Sequence, residues 1–366
     1  MNLERGNSIF ISNFEKLFGK RLPHMDTIDD ILVRLSNDEL EILKASLVAS
    51  LIEKKVFGKF RLGGVHYRVA VDGTGVMTVN ESHCAHCLKK VSKTGVTTYF
   101  HNILEAKLIT PNGFAISLAT EWIENPKTYD KQDCERKAFQ RLASKLKSLF
   151  PRLPICIHAD GLYPNKTFFD ICKANDWRFI VTLKNGNLKR LWEDIETELL
   201  TSKNERRICE QGIDQIFRWI EDLTYQDIPL SWIECLEAVG DKTSRFVFVT
   251  DLDVGYHNVV ELQASGRLRF KIENEGFNTL KNHGYGLEHK FSRTSYTASK
   301  NYLSLMHIAH MFNQLYELSQ LFQPLLIGKM TIKHLWKDFL ATLSKVVLNP
   351  TNIAPIQTTR FQIRYE

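Results

Sequence analysis

VHYRVAVDGTGVMTV, Val65 to Val79, is the stretch on which the fold turns. Its β-branched and aromatic residues read as a strand that gives way at Asp72-Gly73, a pair that favours a turn. Two runs of the same character follow, TTYFHNILEAKLIT (Thr97 to Thr110) and GFAISLATEWI (Gly113 to Ile123), with Pro111-Asn112-Gly113 between them as a turn. Three strands joined by short connections predict an antiparallel meander. Beyond them KQDCERKAFQRLASKLKSLF (131–150) carries apolar residues at helical spacing, and LPICIHADG (153–161) is a continuous apolar strand ending at Asp160. NKTFFDICKANDW (165–177) reads as a helix and RFIVTLK (178–184) as a strand. The order βββαβαβ predicts a mixed α/β domain whose later strands are parallel.

The flanks divide by pattern. Residues 1–64 read as helical, with a capping box from Ser36 to Glu39, and serve as a support rather than a dedicated DNA reader. Residues 65–200 form the first part of the core. Residues 201–258 alternate short runs, IFRWI, SWIECLEAV and RFVFVTDLDV, with Gly, Pro and Asp turns, which predicts a β-rich insertion. Residues 259–325 return to helix and complete the core. GRLRFKIENEGFNTLKNHGYGLEHKF (266–291) comes first, then NYLSLMHIAHMFNQLYELSQLF (301–322), whose His307 and His310 read as packing side chains and not ligands. Residues 326–366 form a C-terminal helical region.

Asp72 and Asp160 each follow an apolar strand and precede glycine. Singly, either is explained as a turn former. On neighbouring strands, two buried carboxylates repel unless a cation lies between them, and magnesium is held by one or two carboxylates plus substrate phosphates. A third acid from a helix would complete a two-metal site. The 266–291 helix offers Glu273 and Glu275, about 200° apart around an α-helix, so only one can face the sheet. Arg269 lies one turn before Glu273 and favours it.

Four segments now stand in order: VDGTG with Asp72, HADGLYPN with Asp160, VTDLDV with the basic segment after it, and RFKIENEGFNTLKN with Glu273. Together they resemble the DDE transposases of bacterial insertion sequences, in the subgroup with a β-rich insertion before the glutamate. The spacings are 88 residues from Asp72 to Asp160 and 113 from Asp160 to Glu273. The resemblance covers residues 65 to 320. It implies a ribonuclease H-like mixed sheet with flanking helices, and Asp72, Asp160 and Glu273 as catalytic metal ligands for two Mg²⁺ ions, with Mn²⁺ as a substitute. It further implies phosphodiester cleavage and strand transfer on double-stranded DNA, by a homodimer when two ends are paired. Arg269, Lys281, Lys184 and Arg267 would then contact DNA. The family's helix commonly has tyrosine three residues before the arginine and lysine seven after the glutamate; here Gly266 and Leu280 stand there, with Lys281 one residue later.

Other constellations are weaker. ESHCAHCLKK (81–90) has zinc-like spacing at Cys84 and Cys87, flanked by His83 and His86, but no second compact Cys/His pair follows. The segment therefore reads first as an exposed loop beside the active site, with a structural zinc at Cys84 and Cys87 as the lesser alternative. Glu121, Glu124, Asp251 and Asp253 read as solvated or turn acids, with Asp251 the reserve metal ligand. Lys184, Lys189, Arg190, Arg206 and Arg207 form a basic series, near which Trp219 and Trp232 could stack on bases or simply pack in the core. No GxxxxGK[ST], GxSxG or HExxH motif is present.

The totals agree with a folded protein: 366 residues, 43% hydrophobic, 25% charged and 11% aromatic. The net charge of +6 is compatible with a polyanionic partner. Seven cysteines, scattered and odd in number, point to reduced thiols. No apolar run approaches a membrane span and the first 25 residues lack a signal core, which predicts a cytoplasmic protein; the resemblance implies association with the bacterial nucleoid. Two alternatives stay open: a structure-specific nuclease of the same fold, and an inactive DNA-binding relic.

Overall fold

The computed structural model describes residues 4–82, 84–126, 131–292, 295–328, 330–351 and 364–365. The chain forms two compact units, one from Met1–Leu40 with Lys290–Glu366 and the other from Glu41–His289. In chain order the elements are α1 (Ser8–Phe18), α2 (Met25–Arg34), α3 (Asn37–Glu53), β1 (Tyr67–Val79), β2 (Leu88–Val91), β3 (Thr97–Ile109), β4 (Ala115–Ile123), α4 (Glu135–Leu149), β5 (Ile155–Ala159), α5 (Lys166–Ala174), β6 (Arg178–Thr182) and α6 (Lys189–Leu199). Four long strands follow, β7 (Glu205–Glu210), β8 (Ile213–Tyr225), β9 (Ile228–Val239) and β10 (Lys242–Thr250), and then the helices α7 (Val259–Arg267), α8 (Thr279–Asn282), α9 (Tyr296–Glu317) and α10 (Ile332–Lys345).

The first unit is helical. Asn7 caps α1 by accepting from the Phe10 N–H at 3.0 Å, and the buried Asn13 donates to the Leu343 and Val346 carbonyls, which joins α1 to the end of α10. Asn301 of α9 donates in the same way to the Leu32 and Leu35 carbonyls at the end of α2, satisfying orphan carbonyls there. His307 and His310 are buried on α9.

The second unit is a ten-stranded mixed sheet with flanking helices, ordered β2-β3-β1-β5-β6-β10-β9-β8-β7, with β4 paired to β3. The antiparallel meander and the late parallel strands are both present: β1 pairs antiparallel with β3, then parallel with β5, which pairs parallel with β6. β1 does not stop at Asp72. It runs on to Val79, because β3 is equally long and pairs with it from Val69↔Leu108 to Val79↔Tyr99, with an irregularity between Gly75 and Met77. Three elements go beyond the sequence reading: the four-residue edge strand β2, the helix α6 and the strand β7. The residues after 201 make four strands that extend the central sheet through β10, antiparallel to β6.

The packing explains the continuity. Phe217, Trp219, Ile233, Cys235 and Phe248 of the added strands share a buried core with Cys156 and Ile180 of β5 and β6 and with Val259 and Leu262 of α7. Burial of this size contributes about 1.5–3 kcal/mol for each large apolar side chain. On the meander side β3 and β4 are buried along most of their length, and the core there holds charges that are paired. Lys44 Nζ lies 2.8 Å from Glu41 and donates to Ser117 and Thr120, while Lys107 Nζ lies 3.4 Å from Glu105. Buried ions persist only when paired in this way.

Candidate active site

The helix after the insertion is not a continuous α-helix. α7 runs into a 3₁₀ turn (Leu268–Phe270), then a π-helical stretch (Ile272–Asn278), then α8. Ile272 and Phe277 of the π stretch are buried against Ala70, Ile109 and Ala115, which seats it over β1. Gly276 lies over the Lys107 side chain, where an added Cβ would stand 3.2 Å from Cδ and Cε, so the glycine permits the close approach. Wide i→i+5 turns are rare and concentrate at functional sites.

Glu273 is itself 48% exposed and is linked to the sheet through Arg269. Arg269 Nη1 lies 2.7 Å from Glu273 Oε1 and 3.2 Å from Asp72 Oδ2, so one guanidinium nitrogen serves both carboxylates. Glu275 turns elsewhere, with its Oε1 2.5 Å from Lys271 Nζ. Gly266 also has a local cause. A Cβ there would meet the Phe248 ring at 2.7–2.9 Å, so the aromatic of β10 occupies the space a side chain at 266 would need.

Asp160 enters from β5. Ala70 pairs with His158 across the parallel strands, and Asp160 follows the last residue of β5, on the strand beside the one that carries Asp72. Asp160 Oδ1 accepts from the Leu162 N–H at 2.8 Å, and Oδ2 lies 3.2 Å from Lys184 Nζ. Gly161 makes room for that lysine, since a Cβ would come within 2.6 Å of its side-chain carbons.

Two further groups complete the cluster, and neither was picked out in the sequence. Glu135, the first residue of α4, lies beside Gly73, and the Tyr163 phenol is buried among the acids. Burial raises the Glu135 carboxyl above its ordinary range and the charge of Asp160 adds to this, while Tyr163 opposes it. Burial likewise pushes the Tyr163 hydroxyl far up, with Glu135, Asp72 and Asp160 contributing. Asp72 is pushed up to about 7 by burial; Arg269 opposes the shift, Glu273 adds to it, the Gly73 N–H opposes it and Glu135 adds to it. Glu135 thus acts on Asp72 and is itself acted on by Asp160. A signal for Glu135 was present in its position at a helix start, where an acid reads equally well as a dipole partner.

Beside the acids lies a cleft of about 530 Å³ whose lining includes Lys184, Arg245, Arg267, Arg269 and the backbone of Gly266. Arg267 is held by Glu237 at 2.6 Å and stacks over Phe246 at 4.1 Å. Lys281 is outside this lining, 2.9 Å from Glu288.

Other sequence candidates fall away from the cluster. Asp251 accepts from the Phe179 N–H at 2.9 Å and pairs with Arg178 at 3.3 Å, at the opposite end of β6 from Asp160, so it is a strand-end anchor and not a reserve ligand. Trp219 and Trp232 are buried in the core and present no face to stack on bases. Cys84 and Cys87 are not on an exposed loop: Cys87 is buried, Cys84 half-buried, and both lie against His101 of β3. His83 lies outside the described residues.

No family model and no curated protein matches the chain. Among solved structures it is similar to the piggyBac transposase in a synaptic complex with hairpin DNA, with a TM-score of 0.36 and 9% identity, over 93% of this chain and 75% of that one. A likeness at that level carries no argument about fold or function. Among the described residues no helix is long and apolar enough to cross a membrane.

Proposed function

We propose that the chain is a DNA transposase of the DDE class, which cuts and joins phosphodiester bonds at the ends of a transposable element. The observation that supports this reading most is the link that Arg269 makes between Asp72 and Glu273, from distant parts of the chain. Asp72 lies on β1, Asp160 directly follows the parallel neighbour β5, and Glu273 is joined to Asp72 through Arg269. The strand order β4-β3-β1-β5-β6, antiparallel first and then parallel, supports a ribonuclease H-like core around them.

The donor set fits hard divalent cations, being all oxygen. The charge of Glu273 and Glu135 on the half-desolvated Asp72 is a repulsion that a bound cation would relieve. Asp72, Asp160 and Glu273 would hold two Mg²⁺ or Mn²⁺ ions, which when bound stabilise attacking and leaving oxygens and lower the pKa of water. The chain itself supplies position and charge. Arg269 orients two of the carboxylates, and Lys184, Arg245 and Arg267 line a cleft suited to a phosphate backbone. Such an enzyme acts on double-stranded DNA, as a homodimer when it pairs two ends.

The test is a supercoiled plasmid carrying the terminal sequences that flank the coding region, incubated with the protein and Mg²⁺ or Mn²⁺. Release of a 3′-hydroxyl end followed by its insertion into target DNA supports the transposase. Nicking without joining replaces it with a nuclease, and binding without cleavage with an inactive relic.

A further inference from the structure

We propose that Cys84, Cys87 and His101 hold a zinc ion that clamps the connection between β1 and β2 onto β3. The three side chains converge: Cys84 Sγ and Cys87 Sγ are 3.9 Å apart, and His101 Nε2 lies 3.5 Å from the first and 3.2 Å from the second. They form the metal-competent His/Cys/Asp/Glu cluster found among the described residues. Zinc bound tetrahedrally at about 2.3 Å to sulfur and about 2.05 Å to nitrogen requires ligand atoms about 3.8 Å apart for S···S and about 3.6 Å for S···N. The observed triangle lies within a few tenths of an ångström of that. A disulfide needs its sulfurs at about 2.04 Å and has no use for a histidine nitrogen facing both of them.

The surroundings are those of a ligand loop. The His86 N–H donates to Cys84 Sγ at 3.3 Å, which orients that sulfur. Asn125, at the end of β4, fixes the loop from the other side. Its side chain donates to the Cys87 carbonyl at 3.0 Å and its N–H to the His86 carbonyl at 3.2 Å, while its own carbonyl is 3.1 Å from His86 Nδ1. His101 is wholly buried on β3, paired with Met77 just past the irregularity in β1. The ion would therefore tie the connection that follows β1 to β3 through three protein ligands, with water in the fourth position, a structural role separate from the carboxylates. Two thiolates and an imidazole suit zinc and exclude magnesium.

The full chain, purified under reducing conditions and passed through a chelating resin, should carry about one zinc per molecule by mass spectrometry of the metal. Cys84→Ser and the double variant Cys84→Ser/Cys87→Ser should fall below about one tenth of that, and Cys134→Ser, at an exposed cysteine outside the cluster, should keep it. Cobalt exchanged into the intact protein should show thiolate charge-transfer absorption and the visible bands of a tetrahedral ion, a readout that does not depend on any variant folding. The proposal is overturned if the zinc-reconstituted, desalted protein holds no more metal than the double variant, or if cobalt gives no thiolate band. It is also overturned if Cys84 and Cys87 are joined in a disulfide in protein saturated with zinc.

Discussion

Arg269 stands 3.2 Å from Asp72 across a sequence separation of 197 residues. The same guanidinium nitrogen reaches Glu273 at 2.7 Å, so a single cation sets the distance between the strand acid and the helix acid. Loss of that cation should leave both carboxylates facing each other half-desolvated. Arg269→Ala is expected to lower cleavage by about 10- to 100-fold and to destabilise the second unit by about 1–3 kcal/mol, measured by plasmid cleavage and urea unfolding. Full activity in Arg269→Ala would deny the arginine this role.

The acids themselves should be separable from DNA affinity. Asp72→Asn, Asp160→Asn and Glu273→Gln are each expected to lose about 10³-fold or more in cleavage with Mg²⁺, the scale of several kcal/mol of lost charge stabilisation. Gel-shift affinity should stay within a few-fold. Glu275→Gln, which breaks only the Lys271 pair, should cut normally. The reverse result, an inactive Glu275→Gln and an active Glu273→Gln, would reassign the helix acid.

Asp72 also makes stability depend on pH. Its folded-state value of about 7 lies above the ordinary 3.8, so between those values the folded protein binds more protons than the unfolded chain. Stability of the metal-free protein therefore falls as pH rises from about 4 to about 7, and it is not regained above that. Asp72→Asn should flatten this slope and raise the melting temperature at pH 8 by about 2–5 °C, read by calorimetry with chelator present. A variant that melts lower than the parent at pH 8 would contradict the electrostatic account.

Gly266 offers a test of packing alone. Alanine is the better helix former, yet a Cβ at 266 would enter the Phe248 ring. Gly266→Ala should cost about 1–3 kcal/mol of stability, and the double change Gly266→Ala/Phe248→Leu should recover part of it. Additive losses in the double variant would show that the two sites do not share the space.

DNA binding should weaken steeply with salt, and Lys184→Ala, Arg245→Ala or Arg267→Ala should each reduce the slope of log K against log salt by about 1. An unchanged slope in all three would place the DNA away from the cleft that these residues line.

Much of this arrangement was legible in the sequence because it rests on local patterns. Alternation and apolar runs marked β1, β3 to β6, α4 and α5, and i,i+4 spacing selected Glu273 through Arg269. What stayed hidden depends on long-range pairing or on backbone geometry. Asp72 was read as the end of a strand, since Asp-Gly is turn chemistry; the length of β3 overrides it. Cys84 and Cys87 lacked a partner within finger spacing because His101 arrives through sheet register. The π stretch at Ile272–Asn278 has no signal in the sequence, where the segment reads as an α-helix.

The shared core of β5, β6, the added strands and α7 has a bearing on how such a chain can change over time. A segment acquired as an insertion is ordinarily removable, because its host closes again behind it. Here excision of residues 201–258 would bare the edge of β6, strip the apolar floor beneath α7 and unseat the helix that carries Glu273. The strands β7 to β10 and the rest of the sheet should then melt as one cooperative unit, and a chain shortened by those residues should not fold.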